Sequence, residues 1–256
     1  MAADPNCPRC EGTGWREVTK GGVAAVERCD CAGAHRESLL LERAAIPPKF
    51  AAAGFDNFEL PERAGNPLAY DVLISAMVKA RSFAREYPTL PQKGILFQGP
   101  TGVGKTHLAT AVLRELIGKG FEGIFFDYQN LLDRIRAGYD PAAGASNKEA
   151  YQNALETEVL LLDDLGAHRV NEWVLDTVTA IINHRYNSGK ALIVTTNLPD
   201  RDLGDRVNEK NPASGQYSVR DSVSDRIGER ARSRLFEMCR VVRIETHDYR
   251  VAHRGR

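Results

Sequence analysis

Eight consecutive residues, Gly99-Pro100-Thr101-Gly102-Val103-Gly104-Lys105-Thr106, constrain this chain more than any other stretch of it. They satisfy the spacing G-x-x-x-x-G-K-[ST] and stand between a short apolar run, Gly94 to Gln98, and a segment of helical periodicity, Lys105 to Ile117. In a strand-then-helix setting, the glycines let backbone N–H groups close around phosphate oxygens, and the positive end of the helix adds its attraction. Lys105 is then expected at the β- and γ-phosphates and Thr106 at a magnesium ion, with Gly99 through Thr106 forming the nucleotide cradle. A glycine turn that only caps a helix is the bland alternative, and the full match in this setting weighs against it.

The same alternation continues downstream. Gly123 to Asp127 and Val159 to Asp163 read as short buried strands and Ala191 to Thr195 as another. Asn171 to Asn187 reads as an amphipathic helix with Trp173, Val174, Val178, Ile181 and Ile182 inward. Repeated strand and helix predict an α/β fold, a parallel sheet flanked by helices, whose ligands sit at the carboxyl ends of the strands. Upstream, Pro67 to Tyr87 reads as a helix that opens on proline, carries Leu68, Val72, Ala76, Ala80 and Phe83 near helical spacing, and ends before Pro88. The texture changes at Ile46-Pro47-Pro48, where a double proline interrupts a short helical pattern that includes Leu39, Leu40, Leu41 and Ile46. This divides the chain into a small appendage, residues 1–48, and a nucleotide-binding domain, residues 49–256.

With 256 residues and 43% hydrophobic content, the chain can bury one sizeable core. Lys+Arg and Asp+Glu both number 34, so overall charge does not argue for a protein that coats nucleic acid or a membrane surface. From Arg201 to Arg256 there are 13 Lys/Arg against 9 Asp/Glu, an excess that a solvated surface explains as well as a local contact does. The first residues lack the basic start and apolar stretch of a signal peptide, and no apolar run approaches the roughly 20 residues that span a bilayer. The expectation is a cytoplasmic protein without membrane contact.

Two acids end the strand Val159-Leu160-Leu161-Leu162-Asp163-Asp164. A buried strand there can deliver carboxylates to a metal and to an attacking water. Asp163 is expected to hold Mg²⁺, directly or through water, and Asp164 to orient or deprotonate the nucleophilic water. The next strand ends in Val194-Thr195-Thr196-Asn197, which puts an amide level with the other strand ends. Asn197 either hydrogen-bonds the water or the γ-phosphate, or forms the turn before Leu198-Pro199. The stretch Tyr128 to Tyr139 sets Arg134 and Arg136 near aromatics, which suits a single nucleic-acid strand and equally an ordinary helix with exposed arginines.

Cys7-Pro8-Arg9-Cys10 and Cys29-Asp30-Cys31 supply two close cysteine pairs, and in a reducing compartment such clustering favours metal over disulfides. Four thiolates can close a tetrahedron around Zn²⁺. Because C-x-C is less usual than C-x-x-C, His35 is an alternative ligand, and a redox pair is the other reading. A segment this short needs the metal to fold. Trp15 is expected to pack over the zinc knuckle, and Cys239 to be a buried apolar residue.

Taken together, Gly99 to Thr106, Asp163-Asp164, Arg185-Tyr186 followed by Thr195-Thr196-Asn197, and Ser233-Arg234-Leu235 resemble the AAA+ ATPases of the DnaC/DnaI helicase loaders and their transposition relative IstB. The resemblance runs from about Ile46 to the C-terminus. It implies ATP and Mg²⁺ as ligands, ATP hydrolysis in a homo-oligomer, Asn197 as sensor 1, and Arg234 as the arginine finger that reaches the neighbouring subunit's γ-phosphate. On residues alone, Arg226, Arg230 and Arg234 at i, i+4 and i+8 of one helix would make a solvated stripe balanced by Asp225 and Glu229. Two departures stand out. Asp164 is one methylene shorter than the Glu that many AAA+ proteins carry, which implies slow hydrolysis. Few residues follow Leu235, so Arg250 is the substitute for a lid-borne sensor 2 arginine.

By the same resemblance the cysteine module docks on a hexameric replicative helicase, and the ATPase domain engages single-stranded DNA. Two alternatives stand beside that reading: an IstB-like regulator of a transposase on duplex DNA, and a nucleotide-gated interaction switch with little hydrolysis. Cys7 to Gly14 also resembles the zinc repeats of DnaJ chaperones, but in one copy.

Overall fold

The computed structural model describes residues 3–139, 145–205, 207–210 and 217–246. Arg250 lies outside the described residues. The chain opens with strands β1 (Trp15–Lys20) and β2 (Val23–Arg28), an antiparallel hairpin, and helix α1 (Cys31–Arg43). Next come a 3-10 turn at Pro48–Phe50 and helix α2 (Pro67–Glu86). The body continues as β3 (Gly94–Gln98), α3 (Lys105–Gly118), β4 (Gly123–Asp127), α4 (Tyr128–Ala137), α5 (Ala145–Glu156), β5 (Val159–Asp163), α6 (Glu172–Asn187) and β6 (Ala191–Thr196). A small hairpin, β7 (Asn208–Lys210) and β8 (Tyr217–Val219), leads to α7 (Val223–Ile227), α8 (Glu229–Met238) and β9 (Cys239–Arg243).

Five strands form one parallel sheet in the order β4-β5-β6-β3-β9, so the fold is the expected α/β sheet flanked by helices. Its strands are apolar on both sides because both sides are covered. Alternation decides the facing: Ile95, Phe97, Val159, Leu161, Ala191 and Ile193 pack with α1, α2 and α3, whereas Leu96, Leu160, Leu162, Leu192 and Val194 pack with the helices α4 to α8. The order brings β3 between β6 and β9, so the loop after β3 emerges mid-sheet, beside the ends of β5 and β6.

The structure amends several sequence expectations. Helix α1 stops at Arg43, Ala45 turns the chain at φ 53°, and Ile46 lies outside the helix, as the residue before a proline disfavours helical geometry. Leu40 and Ala44 enter the main core, so the helix grouped with the cysteine module packs as part of the α/β body. Leu68 is exposed, and Ala69 and Leu73 take the inward face of α2 instead. On α6, Trp173 is half-buried while Arg185 is fully buried. Arg226 does not share a helix with Arg230 and Arg234, because Gly228 at φ 82°, ψ 151° breaks α7 from α8. Cys239 is buried, as expected, and begins β9.

Candidate functional site

The loop after β3 is built from residues that tolerate close approach. A Cβ on Gly99 would lie 2.2 Å from the carbonyl oxygen of Ile244, and one on Gly104, whose φ is 91°, would meet the Phe58 ring at 2.7 Å. No other residue fits either position without displacing its neighbour. Gly104 caps α3, and Lys105 begins the helix. The Lys105 ammonium is almost buried, donating to the carbonyls of Gly99 at 2.9 Å and Pro100 at 2.7 Å and to the Asn197 side-chain oxygen.

Asn197 is the joint of the site. Its Oδ1 accepts from Lys105, and its Nδ2 donates to Asp164 Oδ1 at 3.2 Å. Asp164 sits at φ 55°, a left-handed conformation in which Asp and Asn are several-fold enriched among non-glycine residues. There its N–H donates to Thr195 Oγ1 at 2.9 Å. One residue earlier, Asp163 accepts from Thr195 Oγ1 at 2.6 Å and from Thr106 Oγ1 at 3.2 Å. Burial raises the Asp163 pKa above the ordinary carboxylate range, the two hydroxyls oppose that, and the neighbouring Asp164 charge adds to it. Thr106 and Asp163 thus offer adjacent hard oxygen donors of the kind Mg²⁺ takes, in company with phosphate oxygens. Bound there, the ion would neutralise charge on the phosphates.

Gly99 to Thr106, Asp163, Asp164 and Asn197 therefore converge. Thr195 belongs with them, and no role was read for it from sequence; the legible signal was a pair of hydroxyl residues ending an apolar strand, both fully buried here. Arg234 stands apart on α8, bonded to Asn183 and lying 5.9 Å over the Tyr186 ring, both on α6. Arg232, beside it, is engaged with Asp200 at 2.5 and 2.8 Å. At the other edge of the body, Arg136 lies 4.7 Å over the Trp173 ring, whose neighbour Tyr139 is 70% exposed.

The four cysteines form a second cluster. Their sulfurs all lie within 4.8 Å of one another, with Cys10–Cys31 at 3.4 Å and Cys7–Cys29 at 3.8 Å. Four ligands on zinc at about 2.3 Å stand about 3.8 Å apart, so the set fits a tetrahedral ion. The Gly14 N–H donates to Cys10 Sγ at 3.3 Å, and the Arg9 backbone N–H lowers the Cys7 thiol to about 7, while burial pushes the Cys31 thiol up to about 12. His35 is outside this group, and Trp15 is 50% exposed with Arg28 over its ring at 5.6 Å rather than packed on the cysteines.

Residues 87–256 match the family described as IstB-like ATP binding protein. The chain is 27% identical over 200 residues to an uncharacterized protein, YqaM, of Bacillus subtilis, covering 72% of this chain and 60% of that one. It is 24% identical over 220 residues to the phage-like element PBSX protein XkdC of the same organism, covering 80% and 79%. Among solved structures, that of a DnaC helicase loader superposes with a TM-score of 0.59 at 28% identity, covering 77% of this chain and 99% of that one. The chain spans only about three fifths of YqaM.

Proposed function

This chain belongs to the IstB-like ATP-binding family, and from that premise we propose that it is an ATPase that loads the replicative DNA helicase. The observation that carries the reading is the Asn197 joint, which ties the P-loop lysine to the carboxylate of Asp164. Lys105 holds the β- and γ-phosphates, and Thr106 and Asp163 hold Mg²⁺. Asp164 positions or deprotonates the attacking water, its carboxylate oriented by Asn197 from one side and its backbone by Thr195 from the other. The missing charge stabilisation comes from Arg234 of a neighbouring copy, so hydrolysis depends on assembly.

In this reading the zinc-bearing module within residues 1–48 grips the helicase, with α1 bridging it to the ATPase domain of residues 49–256, and the protein works in the cytoplasm. Arg136, Tyr139 and Trp173 supply the stacking and charge that a single DNA strand uses. The match to an IstB-like family favours a second reading, assembly on duplex DNA to regulate a transposase. A pull-down from native extract with ATP, paired with phosphate release on single- and double-stranded DNA, tests both. Helicase capture and stimulation by single strands are expected; stimulation by duplex alone, with no helicase retained, would move the assignment to the second reading, and no DNA-stimulated phosphate release would leave only a nucleotide-gated switch.

A further inference from the structure

Two residues before Arg234 on α8, Arg232 reaches the other way. Each helical residue turns by about 100°, so positions two apart stand on opposite sides of the axis. Arg234 meets Asn183 and Tyr186 on α6, whereas Arg232 meets the loop that leaves β6. Its Nε and Nη2 donate to the two carboxylate oxygens of Asp200 at 2.8 and 2.5 Å, its Nη1 lies 2.8 Å from Asp202, and its guanidinium lies 4.4 Å over the Phe236 ring. Asp200 is 2% exposed, and a charge so buried is costly unless a partner like this fork holds it. The loop around it is fixed as well: Asp200 Oδ1 accepts from the N–H groups of Asp202 at 3.1 Å and Leu203 at 3.2 Å, and Asp205 accepts from Asp200 N–H at 2.7 Å and from Gln98 at the end of β3 at 3.0 Å. On the other side of the fork, α8 has no helical continuity with α7, because Gly228 breaks the chain between them. Ala231, Leu235 and Met238 bury one face of α8, and such apolar burial is non-directional. The bidentate fork is the contact that sets the helix against the strand ends.

Resting on the reading of Arg234 as the finger for the neighbouring copy, we propose that Arg232 is its positioning residue: clamped on Asp200, it locks α8 to the end of β6 and so sets where Arg234 stands at the interface. Arg232 acts through the helix and not on a phosphate. Asp200 lies three residues after Asn197, so one ion pair joins the strand end of the chain's own nucleotide site to the helix that serves the next copy's site. A lysine could not replace it, since a single ammonium cannot span both carboxylate oxygens in a fixed plane.

Arg232→Met keeps an apolar contact on the Phe236 ring but strands the Asp200 charge, so the test combines it with Asp200→Asn, whose side-chain oxygen still accepts from the two loop N–H groups. The full chain carrying both changes is expected to bind a non-hydrolysable ATP analogue within about threefold of the parent by calorimetry. Its ATPase turnover should fall roughly 10- to 100-fold, the cost of misplacing a catalytic group by on the order of 1 Å. Mixed with Asp164→Asn, the double variant should regain activity, because some interfaces then join its intact Asp164 to an Arg234 on an intact clamp. Mixed with Arg234→Ala, it should gain nothing, because no interface then has a well-placed finger. Damage to the chain's own site would instead leave both mixtures inactive; that pattern in variants that co-assemble, or turnover within about twofold of the parent, overturns the proposal. Normal hydrolysis by Arg234→Ala overturns the finger reading and the role of Arg232 with it, whereas an inactive Arg234→Ala beside a fully active double variant removes Arg232 alone.

Discussion

Lys105 shows how one side chain serves two partners: it is 5% exposed, and its ammonium donates to loop carbonyls and to the side-chain oxygen of Asn197. Phosphate is the stronger partner for it. Lys105→Ala is therefore expected to weaken ATP binding roughly 10- to 100-fold or more, read by titration, with the far-ultraviolet circular dichroism unchanged. Arg185 makes the opposite case, a charge with no place in the chemistry. Its guanidinium is fully buried and donates to the carbonyls of Ala154 and Leu155 at the end of α5, of Glu158 before β5 and of Ala191 at the start of β6. Burial lowers its pKa to about 10. Arg185→Ala would strand these acceptors and leave a void, so a loss of about 3–5 kcal/mol in urea unfolding is expected; a loss below about 1 kcal/mol would show that the carbonyls find other donors. The signal for its burial was present in sequence, since Arg185 continues the spacing of Val178, Ile181 and Ile182, but charge argues against an inward position unless the carbonyls that satisfy it are known.

Among the elements, the cysteine module and the α7–α8 pair carry most of what was new. The β1–β2 hairpin has little apolar packing of its own: Val23 is 68% exposed and Val26 64%. Its closure therefore depends on the four sulfurs at its base. Chelation is expected to release one zinc per chain and unfold residues 3–30 while α1, tied to the body by Leu40, Ala44 and the Ala44 carbonyl that accepts from Phe125, stays in place. ATP binding should persist. Hydrogen exchange checks this, and four free thiols without zinc in protein purified under reducing conditions would refute the metal. The break at Gly228 escaped sequence reading because the arginine spacing alone fits one continuous helix; Gly228 at φ 82°, ψ 151° ends the short helix that the Ser222–Asp225 capping box starts.

At the scale of the whole molecule, the sheet order decides which residues meet. Arg234 projects from the α6–α8 side, with its own contacts on α6, while Asp164 is held by Thr195 and Asn197 at the end of β6. A finger that acts on the next copy should be dispensable for binding and needed for turnover, on the order of 10³ in rate. Arg234→Ala and Asp164→Asn are each expected to be inactive, and their mixture to regain part of the ATPase activity, because some interfaces then join an intact Asp164 to an intact Arg234. Normal hydrolysis by Arg234→Ala, or an inactive mixture of variants that co-assemble, would exclude Arg234 and turn attention to Arg230. Sequence by itself determined the phosphate loop, the acid pair at the end of β5, the cysteine pairs and the parallel α/β class, since each is written in contiguous spacing or in a local period that backbone geometry enforces. Tertiary structure alone decided that Thr195 binds Asp163 while supporting Asp164, and that Asn197, 92 positions after Lys105, meets both Lys105 and Asp164. Those meetings depend on the register of β3, β5 and β6 in one sheet, and register follows from how two faces of core pack rather than from any single stretch of chain.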